Sequence, residues 1–540
     1  MDKKMRSLPL LATVLKSVWI KYFALSLLIL APLLLPGFIL TLDMVFVPDP
    51  KFPSTVSNTY PLDLLLWLLG LILPGDVLQK FVLITILILS GVGMHLLVSQ
   101  LRPASLPGRF WSIACWSAGI FYMINPFVYS RFMAGQWLFL LGYALLPFFV
   151  RSLIVLIEQP TIRRGVTAGL LAALITCLSI HHIGIITIVV LACAAIPVFR
   201  RRPAIIRQLA GSAASGLGVF ITLSSFWLIP AVTQHSDLNN VASFDQTHHE
   251  AFATDGGNLA GKIANVVRLQ GFWAESQNMF ALPQTVTPGW GILFLGLWIV
   301  IIIGAVYAWR TSKVAFGLAT SFILTGVILS ATPLLQTASK LLPLLSGYRE
   351  PHKFAELIAF GFALLLAFGA MRILIKVRRQ AYWSAIFVCL PLLITPTMIW
   401  GFAGQLSPRQ YPKEWHEIAS QLTPGTLFLP WHQYASFSFS ERIIATPAEK
   451  FFSTPVIASN DPEFGNISPT VPDQKRQKIS RLLRDRPDTA ATQLHQLGIR
   501  RILLVKEQDY GNYEWLRSKP GIQLLEQNDR LILYTVEDTR

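Results

Sequence analysis

Tyr22-Phe-Ala-Leu-Ser-Leu-Leu-Ile-Leu-Ala-Pro-Leu-Leu-Leu-Pro-Gly-Phe-Ile-Leu-Thr-Leu-Asp43-Met-Val-Phe-Val-Pro-Asp49-Pro-Lys51 is an apolar run that ends abruptly in a loop with two carboxylates. Its apolar part, about Tyr22 to Leu42, is too long for a signal-peptide core, and no small-residue cleavage site follows it. It therefore reads as a retained membrane anchor. The other flank carries Lys3, Lys4, Arg6, Lys16 and Lys21. Basic flanks stay in the cytoplasm, so Asp43 and Asp49 are expected to emerge on the far face. A carboxylate at that depth is costly unless it faces protein or water, which makes both acids functional candidates as well as ordinary loop residues.

The rest of the chain repeats this pattern. Of its 540 residues 53% are hydrophobic and 14% charged, and the mean hydropathy is +0.52. Apolar runs long enough to cross a bilayer lie at about 20–41, 80–101, 110–126, 137–157, 165–180, 183–199, 208–230, 288–308, 314–332, 354–375 and 382–402. The formal charge of +16 falls in short clusters between alternate runs, such as Arg163 and Arg164, Arg310 and Lys313, or Lys376, Arg378 and Arg379. That is the positive-inside pattern, and it accounts for the charge without a nucleic-acid partner. The fold class expected is a mainly α polytopic membrane protein with about eleven transmembrane helices. The N-terminus is expected in the cytoplasm and the C-terminus outside. Residues 62–73 are too short to cross and are expected to lie as an interfacial helix within the first outer loop, 42–79.

After residue 404 the composition becomes that of a soluble domain. Strand-like runs near 427–430, 501–505 and 530–534, with helical patterning at 474–498 and 510–518, predict a small extracytoplasmic α/β domain over 405–540, beside a transmembrane domain over 1–404. The four cysteines, Cys115, Cys177, Cys193 and Cys389, lie in apolar runs at no metal-ligand spacing, so they predict neither disulfides nor a zinc site.

Chemistry-bearing residues concentrate in the outer loops. Tyr348-Arg-Glu-Pro-His352-Lys353 places cations where the chain re-enters the membrane. Arginine can grip a phosphate with two parallel hydrogen bonds while lysine supplies a point charge; an interfacial anchor is the plainer reading. Asn125-Pro-Phe-Val-Tyr-Ser-Arg131-Phe-Met-Ala-Gly-Gln136 is a second polar island, with Arg131 and Gln136 as candidate cavity residues beside His352. The long loop 231–287 holds His235, Asp237, Asp245 and His248-His249-Glu250; the last three are weak metal candidates without helical i, i+4 spacing. There is no phosphate-binding GxxxxGK[ST] loop, dinucleotide GxGxxG, HExxH or GxSxG motif, so no nucleotide cofactor is expected.

The acidic first loop, the non-spanning helix after it, the span count and the outer C-terminal domain resemble the GT-C-fold polyprenyl-phosphate-sugar glycosyltransferases. Leu42-Asp43-Met44 and Arg349-Glu-Pro-His-Lys353-Phe354 are similar to segments of the AftD-like arabinofuranosyltransferases of mycobacteria. Asn125-Pro-Phe with Gly135-Gln136, and Pro430-Trp-His-Gln-Tyr434, resemble stretches of uncharacterised bacterial and archaeal relatives. The pattern departs at Met44 and Val45, where better-known members carry a longer acidic and basic string. The resemblance implies an inverting transferase of the cell membrane. It would move a sugar from a polyprenyl-phosphate donor to an envelope glycan or glycolipid on the outer face. Asp43 or Asp49 would be the general base, Arg349 and Lys353 (with Tyr348) would hold the donor phosphate, and some members use a divalent metal. A lipid-linked saccharide flippase and a non-catalytic envelope protein are the alternatives. Few ionisable residues lie deep in the runs, chiefly His95 and Arg151, which weighs against ion-coupled transport.

Overall fold

The computed structural model describes residues 7–104, 106–196, 205–233, 246–460 and 473–538. Each of the eleven apolar runs overlaps a helix: Ser7–Leu30, Gly75–Gln100, Gly108–Met123, Trp137–Glu158, Ile162–Leu178, His182–Ala194, Ile205–Thr233, Trp290–Thr311, Lys313–Ala331, Ala355–Lys376 and Gln380–Ile394. The first run, expected at about 20–41, is helical only as far as Leu30; Ala31–Leu34 is a 3-10 turn and Phe38–Ile39 a strand. Among the described residues seven helices are long and apolar enough to cross a membrane. An eighth span results if Gln380–Ile394 and Pro396–Ala403, bent by 72°, are taken together. Eleven full spans are not reached by this measure. Gly108–Met123, Ile162–Leu178 and His182–Ala194 have 16, 17 and 13 residues, short of the ~30 Å hydrocarbon core at about 1.5 Å per residue.

Ala355–Lys376 is the centre of the bundle. Nearly all of it is buried, against Gly108–Met123, Trp290–Thr311 and Lys313–Ala331. Lipid offers no hydrophobic drive between helices, so close backbone approach must hold them. Gly304 and Gly369 provide it: a Cβ on Gly369 would stand 2.1 Å from the Val300 carbonyl oxygen, and one on Gly304 1.9 Å from that of Leu365. The outward faces remain apolar, as at Ile292, Leu295, Ile299 and Ile302.

The expected interfacial helix is Tyr60–Gly70, with no buried residue and with Leu65 and Leu68 exposed. The C-terminal part contains a five-stranded mixed sheet in the order Val456–Ile457, Thr426–Leu429, Arg501–Val505, Leu531–Val536, Ile522–Gln527. Its first three strands run parallel, and Leu531–Val536 is antiparallel to both neighbours. One face packs beneath Gln474–Asp485 and Ala490–Gln496 as a small separate core.

The other face joins the membrane bundle. Trp415, Phe428, Phe437 and Ile444 belong to the same apolar core as the helices. Phe38–Ile39 pairs with Pro408–Arg409. Leu42 N–H donates to the Ile443 carbonyl at 3.0 Å, and Ala445 N–H donates to that of Leu42 at 2.8 Å. The loop after the first long helix is thus stitched into the C-terminal part immediately before Asp43.

Candidate functional site

Asn125 begins the site. Its side chain accepts the Val128 N–H at 3.1 Å and caps the helix Pro126–Met133, where proline at the first position needs no donor. The helix ends at Gly135, whose φ of 72° is left-handed. A Cβ there would lie 2.2 Å from Met44 N, so only glycine lets the first loop lie against the polar island. Asp43 N–H donates to the Ala134 carbonyl at 3.2 Å, and the Thr41 hydroxyl to that of Met133 at 2.7 Å. Leu42, just before Asp43, has a φ of 37°, a strained value for a branched residue and one that clusters at functional sites.

Within Thr41–Val47 only Asp43 is exposed; its six companions are buried. Tyr434, from the C-terminal part, donates its hydroxyl to Asp43 Oδ1 at 2.6 Å. Asp43 keeps contact with solvent, but the protein packed around it strips part of its hydration; this desolvation and the nearby Glu350 charge raise its carboxyl above its ordinary value, against the Tyr434 bond and the Lys353 and Lys450 cations, which lower it. The Arg349 guanidinium feels the charges of both Asp43 and Glu350, and it lies over the Phe252 ring at 4.5 Å. The acid of the first loop and the cation of the late loop therefore share one electrostatic environment.

Beneath them is a buried network. Arg131 is fully buried and pairs with Glu350. It donates to Gln136 Oε1 at 2.8 Å and to His352 Nδ1 at 2.7 Å. Since His352 Nδ1 accepts there, its Nε2–H donates to the Gln270 carbonyl at 3.0 Å. Lys353 Nζ lies 3.1 Å from Glu350 Oε2. Burial would raise the Glu350 carboxyl, but the Arg131 and Lys353 charges and hydrogen bonds overcome it and hold it at about 2. Three rings, Phe127, Phe139 and Phe272, surround the Arg131 guanidinium at 5.1, 5.7 and 4.3 Å. Arg131 and His352 are therefore sealed in protein and position Glu350 and its neighbours, while Gln136 keeps partial exposure.

Other candidates fall elsewhere. The Tyr348 hydroxyl accepts the Gly184 N–H at 2.8 Å and ties the late loop to the start of His182–Ala194. Asp49 is exposed in a separate cleft with His416 and Glu449. His249 and Glu250 lie on the helix Gln246–Ala251, and the side chain of His248 lies outside the described residues, as do His235, Asp237 and Asp245. Among the described residues no three His, Cys, Asp or Glu side chains converge as metal ligands. Sequence reasoning missed Tyr434 and Lys450 as site residues. Tyr434 stands in the quoted Pro430–Tyr434 stretch, a signal that was available. Nothing near Lys450 offered one.

No family model matches the sequence, and no curated protein matches it. A cryo-EM structure of the arabinofuranosyltransferase AftD from Mycobacteria is similar over 97% of this chain, with a TM-score of 0.56 and 13% identity. The chain has the GT-C fold. It spans 41% of the length of that AftD chain. ArnT from Cupriavidus metallidurans, solved bound to undecaprenyl phosphate, matches over 98% of both chains, with a TM-score of 0.36 and 11% identity. At these identities the likeness concerns the GT-C fold alone, and the chemistry must be argued from the residues.

Proposed function

We propose that this GT-C-fold protein is an inverting membrane glycosyltransferase that uses a polyprenyl-phosphate-linked sugar on the outer face of the cell membrane. One observation carries the reading: Asp43, exposed in an otherwise buried loop, accepts the Tyr434 hydroxyl at 2.6 Å and is held by its N–H to the Ala134 carbonyl at 3.2 Å, so the first loop, the polar island and the C-terminal part meet at this carboxylate, within the field of Arg349, Lys353 and Lys450. The parts come from the first loop, the late loop and the C-terminal region.

In the reaction, Asp43 takes the proton of an acceptor hydroxyl. The oxygen attacks the anomeric carbon from the face opposite the phosphate, the bond from that carbon to the phosphate oxygen breaks, and the configuration inverts. The departing polyprenyl phosphate carries the negative charge, which Arg349 and the neighbouring lysines stabilise. A base whose carboxyl lies above its ordinary value is better matched to a hydroxyl proton than a fully solvated aspartate. Asp43 is the base in this scheme rather than Asp49, which stands in another cleft. The reaction requires the basic clusters in the cytoplasm and Asp43 with residues 405–540 outside, the sidedness that the placement of lysine and arginine favours. The acceptor is an envelope glycan or glycolipid.

The test is transfer from radiolabelled polyprenyl-phosphate sugars by the purified protein in liposomes. Asp43→Asn should lower kcat by about 10²-fold or more, and Arg349→Ala should mainly raise the donor KM. Wild-type rates in Asp43→Asn would remove the scheme.

A further inference from the structure

An open space that the catalytic scheme leaves unused lies between the first loop and the C-terminal part. It is a cleft of 770 Å³, walled on one side by Asp49, Phe52 and Ser54 and on the other by His416, Phe451 and Ser453. Such a volume suits a ligand of several rings. We propose that this cleft binds the non-reacting part of an uncharged oligosaccharide acceptor; the assignment as acceptor rests on the transferase reading above.

Three features favour this occupant. First, the walls combine the two chemistries a sugar presents. Phe52 is 56% exposed, yet it is held edge-to-face against Trp67 at 5.0 Å, so it offers a fixed apolar face to the C–H side of a pyranose or furanose ring. Asp49, Ser54, His416 and Ser453 are exposed around it and can accept or donate hydrogen bonds to hydroxyls. An exposed aromatic that is already immobilised costs little entropy on binding.

Second, the cleft is built rather than accidental. Pro48, Pro50 and Pro53 restrict the loop backbone. Lys51 Nζ donates to the Glu449 carbonyl at 2.7 Å and fastens the loop to the opposite wall. His416 packs against Phe451 at 4.9 Å on that wall.

Third, the cleft adjoins the loop that carries the base. Pro50, Lys51, Phe52, Ser54 and Glu449 also line a second cavity of 350 Å³, bounded as well by Val45, Phe46, Trp137 and Lys450. Val45 follows Asp43 closely in the same loop, and Lys450 Nζ donates to its carbonyl at 3.4 Å. A saccharide in the cleft therefore lies against the loop from which Asp43 acts. The cleft carries no excess of positive charge: Asp49 is opposed by Lys51 on the same loop, and Glu449 is paired with Arg476 at 2.8 Å. A uronate or sulfated glycan gains no net attraction there, which favours an uncharged saccharide.

The experiment measures saccharide binding by the full-length protein in nanodiscs, using saturation-transfer NMR with arabino-, manno- and gluco-tetrasaccharides and an oligogalacturonate. At least one uncharged tetrasaccharide is expected to bind. Phe52→Ala and Asp49→Asn should each weaken it by about tenfold, on the scale of an aromatic or charged anchor contact. Ser54→Trp, which fills the cleft from an exposed position, should abolish it, with folding checked by circular dichroism. Failure of every uncharged tetrasaccharide to bind, preference for the oligogalacturonate, or wild-type binding by Phe52→Ala and Ser54→Trp together would overturn the site. The two proposals fail separately. Binding that depends on Phe52 without transfer from any donor keeps the cleft and removes the enzyme. Transfer with an acceptor KM unmoved by Phe52→Ala and Ser54→Trp keeps the enzyme and removes the cleft.

Discussion

The Tyr434 hydroxyl donates a 2.6 Å hydrogen bond to Asp43 Oδ1 across 391 positions of sequence. It is one of the interactions that offset burial at that carboxyl. The base must be charged to act, so activity falls as pH drops through its raised value. Tyr434→Phe removes a bond that favours the charged form and should move the acid limb of kcat/KM to higher pH. A hydrogen bond to a charged group contributes about 1.5–3 kcal/mol, so the loss at acidic pH should be about tenfold or more. Lys450→Ala should shift the limb in the same direction, and a pH–rate profile of the three proteins checks both.

Gly135 is where the polar island and the first loop touch. Gly135→Ala forces a Cβ against Met44 N and the Thr41 carbonyl at a left-handed φ, and that conformation alone costs about 1–2 kcal/mol. Displacing Asp43 by even an ångström should lower transfer by about 10²-fold. Comparing kcat with the melting temperature of the variant separates displacement from unfolding.

Arg131 and Glu350 form a pair sealed from solvent. Removing one partner of a buried pair costs about 3–5 kcal/mol, because the other charge is left uncompensated. Arg131→Ala should therefore destabilise the protein by about that amount, and Arg131→Lys, which keeps the charge but loses the fork, by less. Thermal unfolding in detergent measures the difference.

Glu275 is buried, accepting from the Ser130 hydroxyl at 2.5 Å and from Gly271 N–H at 2.9 Å. Burial pushes its carboxyl up to about 7 despite these bonds and the nearby Arg131 charge. The folded protein thus favours the neutral acid. The stabilisation is present below the ordinary carboxyl value of 4.5 and is lost as pH rises through about 7. Wild-type stability should decline over that window by about 3 kcal/mol, and Glu275→Gln should flatten the decline. Melting curves at a series of pH values report it.

Sidedness is testable without any substrate. In a background lacking Cys115, Cys177, Cys193 and Cys389, Ser54→Cys should react with an impermeant maleimide from outside intact cells. Arg163→Cys and Arg310→Cys should react only after lysis. Labelling of Ser54→Cys from the cytoplasmic side would invert the topology and end the proposed chemistry.

Sequence alone determined the membrane class and the approximate position of most long helices, although the first, expected at about 20–41, spans Ser7–Leu30. Lipid solvation acts on each segment separately, so length and apolarity suffice to find a helix, and lysine and arginine placement predicts its direction. The count of full spans was less legible, because Gly108–Met123 and His182–Ala194 end where packing and turns decide, inside stretches that remain apolar. The site was legible only in its ingredients. Asp43, Arg349 and Arg131 stood out as charges beside apolar runs, but nothing local distinguished Asp43 from Asp49. Tertiary structure separated them, placing Asp43 under Tyr434 and Asp49 in the outer cleft. It also sealed Arg131 and His352 beneath Glu350, and brought Lys450 to the base. The physical reason is that charge interactions and cavity walls depend on distances between segments remote in sequence, whereas transfer into lipid depends on each segment's own composition.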